Sequence, residues 1–333
     1  MKLIKLKSII DNKLKRYFFY AIGEICLIVL GILVALYINN KNANNQYKKE
    51  IDNNILRAYS ELEGNIEEAQ ETILKIKEKD SLIYLVMNDL IEPEAYYKDI
   101  NLAYLILFFY NLDIEDKAFQ NLISLNVADN KYKEELLSSL KELYAINQSI
   151  KEVNQRMSSF VYDKSLPMLA QNTKTFGDLT YKGEIKKDVV DFFSTSQEYK
   201  SYVSQYAIIA IKNQLRHNQD FLKKAYNLRS KIINEYNFDS KNLLKKDSLI
   251  SEYKGLYSSK SLKDTIAIKF VNDSILVYKN KKFQLNLIPL TKDCYFTDNE
   301  GGGYFISFLK EKDTLSMKLN LLSNKFFYEK IKK

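Results

Sequence analysis

The chain has 333 residues, 46% of them hydrophobic, enough for two ordinary domains with real cores besides an anchor. With only 3 prolines and 9 glycines it favours long helices over a loop-rich fold. Most of the +8 net charge sits in residues 1–50, where nine basic groups (Lys2, Lys5, Lys7, Lys13, Lys15, Arg16, Lys41, Lys48, Lys49) face three acidic ones (Asp11, Glu24, Glu50). That leaves no basic stripe for a folded domain, and nucleic acid is excluded as a partner.

Residues 1–20 form a basic lead. Leu3, Leu6, Ile10, Leu14 and Tyr17 recur at helical spacing with lysines between them. Such a stretch can lie on the inner membrane surface and hold anionic lipid, or remain a short disordered basic tail. The run Ala21–Ile38 follows, 18 residues with Glu24 as its one charge. At helical rise it covers roughly 27 Å, enough to span a hydrocarbon core. Tyr17, Phe18, Phe19 and Tyr20 stand at one end and Tyr37 at the other, at the depths aromatic residues prefer. The run is long for a cleaved signal peptide, and Leu36, Tyr37 and Ile38 are poor cleavage neighbours. Six basic residues precede the run and three follow soon after, which places the N-terminus in the cytoplasm and exports the rest.

Within the run, Glu24, Gly31 and Ala35 share one helix face. Gly31 and Ala35 form a small-residue pair that permits close helix approach, and the Glu24 carboxyl can hydrogen-bond across a helix dimer in its protonated form. The competing reading has Glu24 snorkel from about one turn inside the membrane to the headgroups. Cys26 lies in the run and Cys294 near the C-terminus, so the two cannot meet in one compartment and no disulfide is expected. Ile25 fills the position where a lipoprotein cleavage site needs a small residue.

The stretch from Tyr20-Ala-Ile-Gly-Glu through Ala35-Leu-Tyr-Ile-Asn39 resembles the anchor of an uncharacterised family of single-pass Gram-negative envelope proteins, with its basic-aromatic lead, Gly-Glu pair and Ala-Leu-x-Ile-Asn end. The tryptophan usual after that Asn is absent. A second patch, Lys117-Ala-Phe-Gln-Asn-Leu-Ile-Ser-Leu125, is similar to the same family. The resemblance spans roughly residues 1–235 and implies an inner-membrane protein, without implying an activity.

Residues 39–240 read as an exported helical domain. From Tyr47 to Lys79, Ile51, Ile55, Tyr59, Leu62, Ile66, Ile73 and Ile76 recur at three, four or seven, the pattern of a long amphipathic helix. Further helices are predicted over 80–90, 94–111, 114–126, 131–163, 185–193 and 196–235, and together they suggest an antiparallel bundle. Pro93 fits a first helical turn, while Pro167 and Thr173–Gly183 mark a loop. Tyr104–Tyr110 is apolar all round and reads as a buried helix, too short to span a bilayer. The one histidine, His217, leaves no Glu-x-x-His pair for a di-metal site. The pairs Glu67-Glu68 and Glu134-Glu135 read as solvated faces, and no phosphate loop, Gly-x-Ser-x-Gly or Cys-x-x-Cys occurs.

Near Asp247 the period changes to two, and residues 247–333 read as a β domain. Ile266–Val271 and Ile275–Tyr278 flank a turn at Asn272–Ser274. Further strands are predicted at Phe283–Ile288, Tyr295–Thr297, Tyr304–Leu309, Thr314–Leu321 and Phe326–Glu329, an antiparallel meander closed as a barrel or sandwich. Tyr253-x-Gly255-x-Tyr257, Asn272-Asp273, Ile288-Pro289-Leu290, Phe296 and Ile306-x-Phe308 are similar to small lipocalin-like β domains. That resemblance implies an accessory module, its interior either packed or holding a small apolar ligand.

The fold class expected is therefore α+β: one transmembrane helix, an exported helical bundle and a C-terminal β barrel or meander. No residue set specifies a reaction, so a non-enzymatic envelope protein with neither cofactor nor metal is expected. Its expected partners are the bilayer, a second copy through the membrane helix, and an envelope protein. A membrane-tethered small-molecule binder or sensor using the β domain is the alternative.

Overall fold

The structure is a computed structural model that describes residues 2–125, 133–236, 251–271, 274–279, 283–297, 304–311, 314–321 and 324–331. It is α+β, with a helical N-terminal part, one long apolar helix and a closed antiparallel barrel. Two compact units divide the chain. The first takes helix α1 (Lys2–Met87) up to Arg57, together with the end of α4 (Lys117–Ser124); the second holds the rest.

In the first unit every side chain from Tyr17 to Gln46 is exposed, including the whole apolar run. This helix is the one long and apolar enough to cross a membrane among the described residues, and it has the composition of an anchor or a signal sequence. Past Gln46 the character changes. The Tyr47 hydroxyl donates to the Leu125 carbonyl at 3.0 Å, and Ile51 and Ile55 are fully buried.

In the second unit α1 continues as a buried stripe. Ala58, Leu62, Ile66, Ala69, Ile73, Ile76, Ile83 and Val86 recur every three or four residues, with one gap of seven, and are all buried. The stretches predicted separately over 47–79 and 80–90 are thus one helix as far as Met87, with no break in the backbone at Lys79 and Asp80. Helices α2 (Pro93–Lys98) and α3 (Ile100–Ala103) follow. Pro93 stands in the first turn of α2, where its missing N–H costs nothing, and the Asp99 carboxylate caps α3 by accepting from the Asn101 N–H at 2.9 Å. Helix α5 (Glu134–Phe160) runs through a π-helical turn (Val161–Ser165) into α6 (Leu166–Asn172). Pro167 therefore opens α6 and does not mark a loop; the widened turn just before it accommodates a ring that would strike a regular helix. A second π turn, Asp178–Lys182, occupies part of the stretch predicted as loop. Helix α7 (Lys187–Thr195) precedes α8 (Gln197–Ala207), whose start is capped by the Ser196 hydroxyl accepting from the Tyr199 N–H at 3.2 Å. Helix α8 continues through π-helical Ile208–Gln214 into α9 (Leu215–Tyr236), which packs along α5.

The barrel has eight strands in sequence order, and the last pairs back with the first: β1 (Gly255–Ser259), β2 (Asp264–Val271), β3 (Ser274–Lys279), β4 (Phe283–Pro289), β5 (Cys294–Thr297), β6 (Phe305–Glu311), β7 (Thr314–Leu321) and β8 (Asn324–Lys330). Seven of the eight strands, β2 to β8, match the stretches predicted as strands from the sequence. The predicted turn at Asn272–Ser274 and the period change near Asp247 lie largely outside the described residues. Strand β1 starts at Gly255, whose φ of +154° is one that L side chains rarely adopt; a Cβ there would also come within 2.8 Å of the Lys330 Cε and displace the end of that side chain. Alternate side chains point inward and meet as one cluster that includes Tyr257, Tyr295, Ile306, Phe308, Met317 and Tyr328. One end is closed by Tyr253, whose ring stacks on Phe308 with centroids 4.2 Å apart.

The outer face of the barrel is not free throughout. All four side chains of β5 are buried, so this strand is covered on both faces. The Tyr226 hydroxyl of α9 donates to the Pro289 carbonyl at 3.1 Å and accepts from Gln70 of α1 at 2.6 Å, while Lys77 of α1 reaches Cys294 and Ser307. Barrel and helices fall in one compact unit.

Candidate functional site

The residues singled out in the apolar run lie where the helix periodicity puts them. Glu24, Gly31 and Ala35 are all exposed on α1, and a Cβ built on Gly31 meets nothing within 4 Å. The face is open for another helix to approach, and Glu24 has no partner among the described residues of its own chain.

A second arrangement was not visible in the sequence. Between Tyr104 and Asp116 the chain is irregular, yet Leu105, Ile106, Leu107, Leu112 and Ile114 are buried, so its backbone groups need partners there. Here side chains from three helical elements supply them. From α1, both Glu61 oxygens accept from the Ala118 N–H at 3.1 Å, capping α4. Asn65 donates to the Glu115 carbonyl at 2.8 Å and accepts from the Glu115 N–H at 2.9 Å. Glu68 accepts from the Asp113 N–H at 3.0 Å, so this carboxylate does more than face solvent. From α5, Asn154 donates to the Leu112 carbonyl at 3.2 Å and Asn147 to the Asp116 carboxylate at 3.1 Å. Gln214, in the π turn after α8, donates to the Tyr110 carbonyl.

Lys79 is the most buried charge in this arrangement, 5% exposed. Its ammonium donates to the Leu105 carbonyl at 2.9 Å, to the Phe108 carbonyl and to the Tyr206 hydroxyl at 3.0 Å, and it lies 4.9 Å from the Tyr206 ring centroid. No carboxylate pairs with it among the described residues. Burial lowers its pKa from 10.5 to about 7. Burial likewise pushes the Tyr206 phenol well up, so it stays a neutral donor to the Phe108 carbonyl at 2.7 Å. The predicted helix over 94–111 therefore ends at Ala103, and what reads as an apolar helix is a packed irregular segment whose carbonyls are tied to distant side chains.

The third arrangement is the seam between α1 and the barrel. The Lys77 Nζ stands 3.2 Å from the Cys294 sulfur, 3.3 Å from the Ser307 hydroxyl and 4.9 Å from the Phe305 ring centroid. Cys294 is buried and Cys26 exposed, both as free thiols.

No known protein family, characterised protein or solved structure matches this chain.

The chemistry of the sites must then be read from their residues alone. Among the described residues, no three His, Cys, Asp or Glu side chains converge as metal ligands would. His217 sits part-exposed on α9. Glu134 and Glu135 are exposed in the first turn of α5, where a helix start favours negative charge, and Glu135 pairs with Lys231 at 3.1 Å. Of the carboxylates around Tyr104–Asp116, Glu61 and Glu68 are occupied with backbone N–H groups and Asp116 accepts from the Asn147 side chain, so they hold structure. Glu61 among them has its pKa raised, chiefly by burial, as expected of a group enclosed by packing. The arrangement ties the irregular segment to α1, α5 and the π turn after α8.

Proposed function

We propose that this chain is a non-enzymatic, membrane-anchored envelope protein whose helical and barrel parts form a rigid platform for a protein partner. One observation carries the reading: α1 contains a fully exposed apolar run and, further along, the stripe around which the helices and barrel of the second unit pack. An apolar run of that length left uncovered calls for lipid. In this reading residues 21–38 cross the bacterial inner membrane with the basic lead in the cytoplasm, and the bulk of the chain is periplasmic. The polar side chains spent on the Tyr104–Asp116 segment favour a platform over a reaction centre, because Glu61, Asn65, Glu68, Lys79, Asn154 and Gln214 already hold backbone groups. The filled interior of the barrel likewise supports a platform over a ligand-holding barrel.

Two experiments test it. A topology reporter fused after Lys333 is expected to be active only outside the cytoplasm, and activity confined to the cytoplasm overturns the orientation. Cross-linking in intact envelopes is expected to trap a second protein species; recovery of this chain alone counts against a partner platform.

A further inference from the structure

Three lysines gather on the outer face of the barrel where α1 crosses it. Cys294, Ser307, Lys318 and Phe327 are successive cross-strand neighbours over β5, β6, β7 and β8, and so form one row. The next row is Phe296, Phe305, Asn320 and Lys325. Lys77 comes down from α1 onto Cys294 and Ser307, which sets its ammonium beside Lys318. None of Lys77, Lys318 and Lys325 forms an ion pair among the described residues. Two of the ammonium groups face aromatic rings: Lys77 is 4.9 Å from the Phe305 centroid and Lys318 5.8 Å from that of Phe327. Asp80, one turn along α1 from Lys77, is an acid that feels the cluster through Lys325. Asn320 stands between the aromatic and basic ends of its row with its side-chain oxygen buried and unpartnered. Turned about its amide axis, Asn320 presents an N–H there, the group an anion needs.

The three charges also act on each other. The Lys318 pKa is lowered, first by burial and then by the charges of Lys325 and Lys77. Lysines that repel one another in a partly buried setting are stabilised by an anion with several acceptor oxygens. With Asp80 ionised, three ammonium groups against one carboxylate leave a charge that matches a phosphate better than a lone carboxylate.

We propose that Lys77, Lys318 and Lys325, with Asn320, form a binding site for a phosphate group, carried by a soluble phosphate or by a phospholipid headgroup. This goes beyond the platform reading and rests on different residues. The test uses the full chain in an uncharged detergent. Inorganic phosphate, added at constant ionic strength, is expected to raise the thermal unfolding midpoint saturably. Lys318→Gln and Lys325→Gln are each expected to weaken the apparent affinity about tenfold. Lys318→Arg, which keeps the charge, is expected to retain binding, as is Lys292→Gln, which removes an exposed lysine 67% accessible on the turn before β5. In a second arm, bilayer discs of phosphatidylglycerol and of phosphatidylcholine are compared in a buffer free of inorganic phosphate. Stabilisation by phosphatidylglycerol that Lys325→Gln removes identifies the headgroup as the source; stabilisation by inorganic phosphate alone identifies a soluble one. Should Lys318→Gln fail to fold, Lys325→Gln and shifts of isotope-labelled, reductively methylated lysines in the unmutated chain give the same readout. No saturable response in either arm, or an unchanged response in the Gln variants, overturns the site.

Discussion

Replacing Lys79 with Met tests whether its ammonium is buried at a cost. In the unfolded chain this lysine titrates near its ordinary value, about 10.4, whereas burial holds it at about 7 in the fold. Between those two values the unfolded chain binds a proton that the folded chain has released. Stability therefore rises with pH across this window, by at most about 1.4 kcal/mol per pH unit, and is flat at its lower level once both states are protonated below the folded pKa. Integrated from pH 7 to pH 9, the unmutated chain gains about 2 kcal/mol that Lys79→Met lacks. At any one pH the variant also loses the donor to the Leu105 carbonyl, while the Phe108 carbonyl keeps the Tyr206 hydroxyl. That orphaned carbonyl costs roughly 1–3 kcal/mol and is independent of pH, so it separates from the titration. The assay is urea unfolding of the full chain in micelles, followed by helical circular dichroism at pH 6 to 9, with the variant subtracted so that other titrating groups cancel. A difference that stays constant within about 0.5 kcal/mol across that range refutes the reasoning, and means the carbonyls and rings compensate the buried charge in full.

Three further outcomes follow from named contacts. Asn65→Ala removes both the donor and the acceptor that hold Glu115, at a residue 2% exposed, and is expected to cost about 2–4 kcal/mol in the same unfolding assay; a loss below about 0.5 kcal/mol contradicts the role given to the segment. Tyr257→Ala empties a fully buried position in the barrel and loses the hydroxyl bond to the Tyr253 carbonyl at 2.8 Å, so about 3–5 kcal/mol is expected, with the strand signal in circular dichroism as readout. Glu24→Leu is expected to reduce cross-linking between copies in membranes if its face joins two helices; unchanged cross-linking returns the segment to a plain anchor.

The periodic parts of the chain are legible in its sequence and the aperiodic ones are hidden. Strands β2, β4 and β7 alternate apolar and polar residues, so period two finds them, while β3, β6 and β8 show as short apolar-rich runs between turn residues. Strand β5, Cys-Tyr-Phe-Thr, lacks alternation because both its faces are covered, and it is still found over Tyr295–Thr297 as a short apolar run between turn residues. Strand β1 is readable only through the Tyr253-x-Gly255-x-Tyr257 pattern, since Gly255-Leu-Tyr-Ser-Ser is too short to show a period. The Tyr104–Tyr110 stretch misleads for a definite reason: an apolar run says that a segment is buried and nothing about its backbone. What keeps it irregular is a set of partners such as Lys79 and Gln214, and in sequence these look like the polar side of ordinary helices. The Lys77, Lys318 and Lys325 cluster is invisible for the same reason, since only the register of β7 and β8 and the packing of α1 bring the three together.

The barrel's size decides where it can recognise anything. Eight strands enclose a space just wide enough for side chains or for one small ligand. In this barrel the inward positions are taken by large residues, Tyr257, Tyr295, Phe308 and Tyr328 among them, and each aromatic side chain brings roughly 150–250 Å² of surface to bury. Tyr253 adds a ring over one end. Burial is strongest when these rings meet one another, so admitting a ligand means breaking contacts that hold the barrel together. The outer face carries no such constraint. Its β4–β6 part is committed to helix contacts, and at the border of that contact, on β7 and β8, Lys318 stands over the Phe327 ring and Lys325 lies on the next strand, neither with a carboxylate ion pair among the described residues. A barrel that fills its own interior and docks one flank on helices leaves its chemistry at the edge of the docked flank, and there the phosphate titration has its most direct reading.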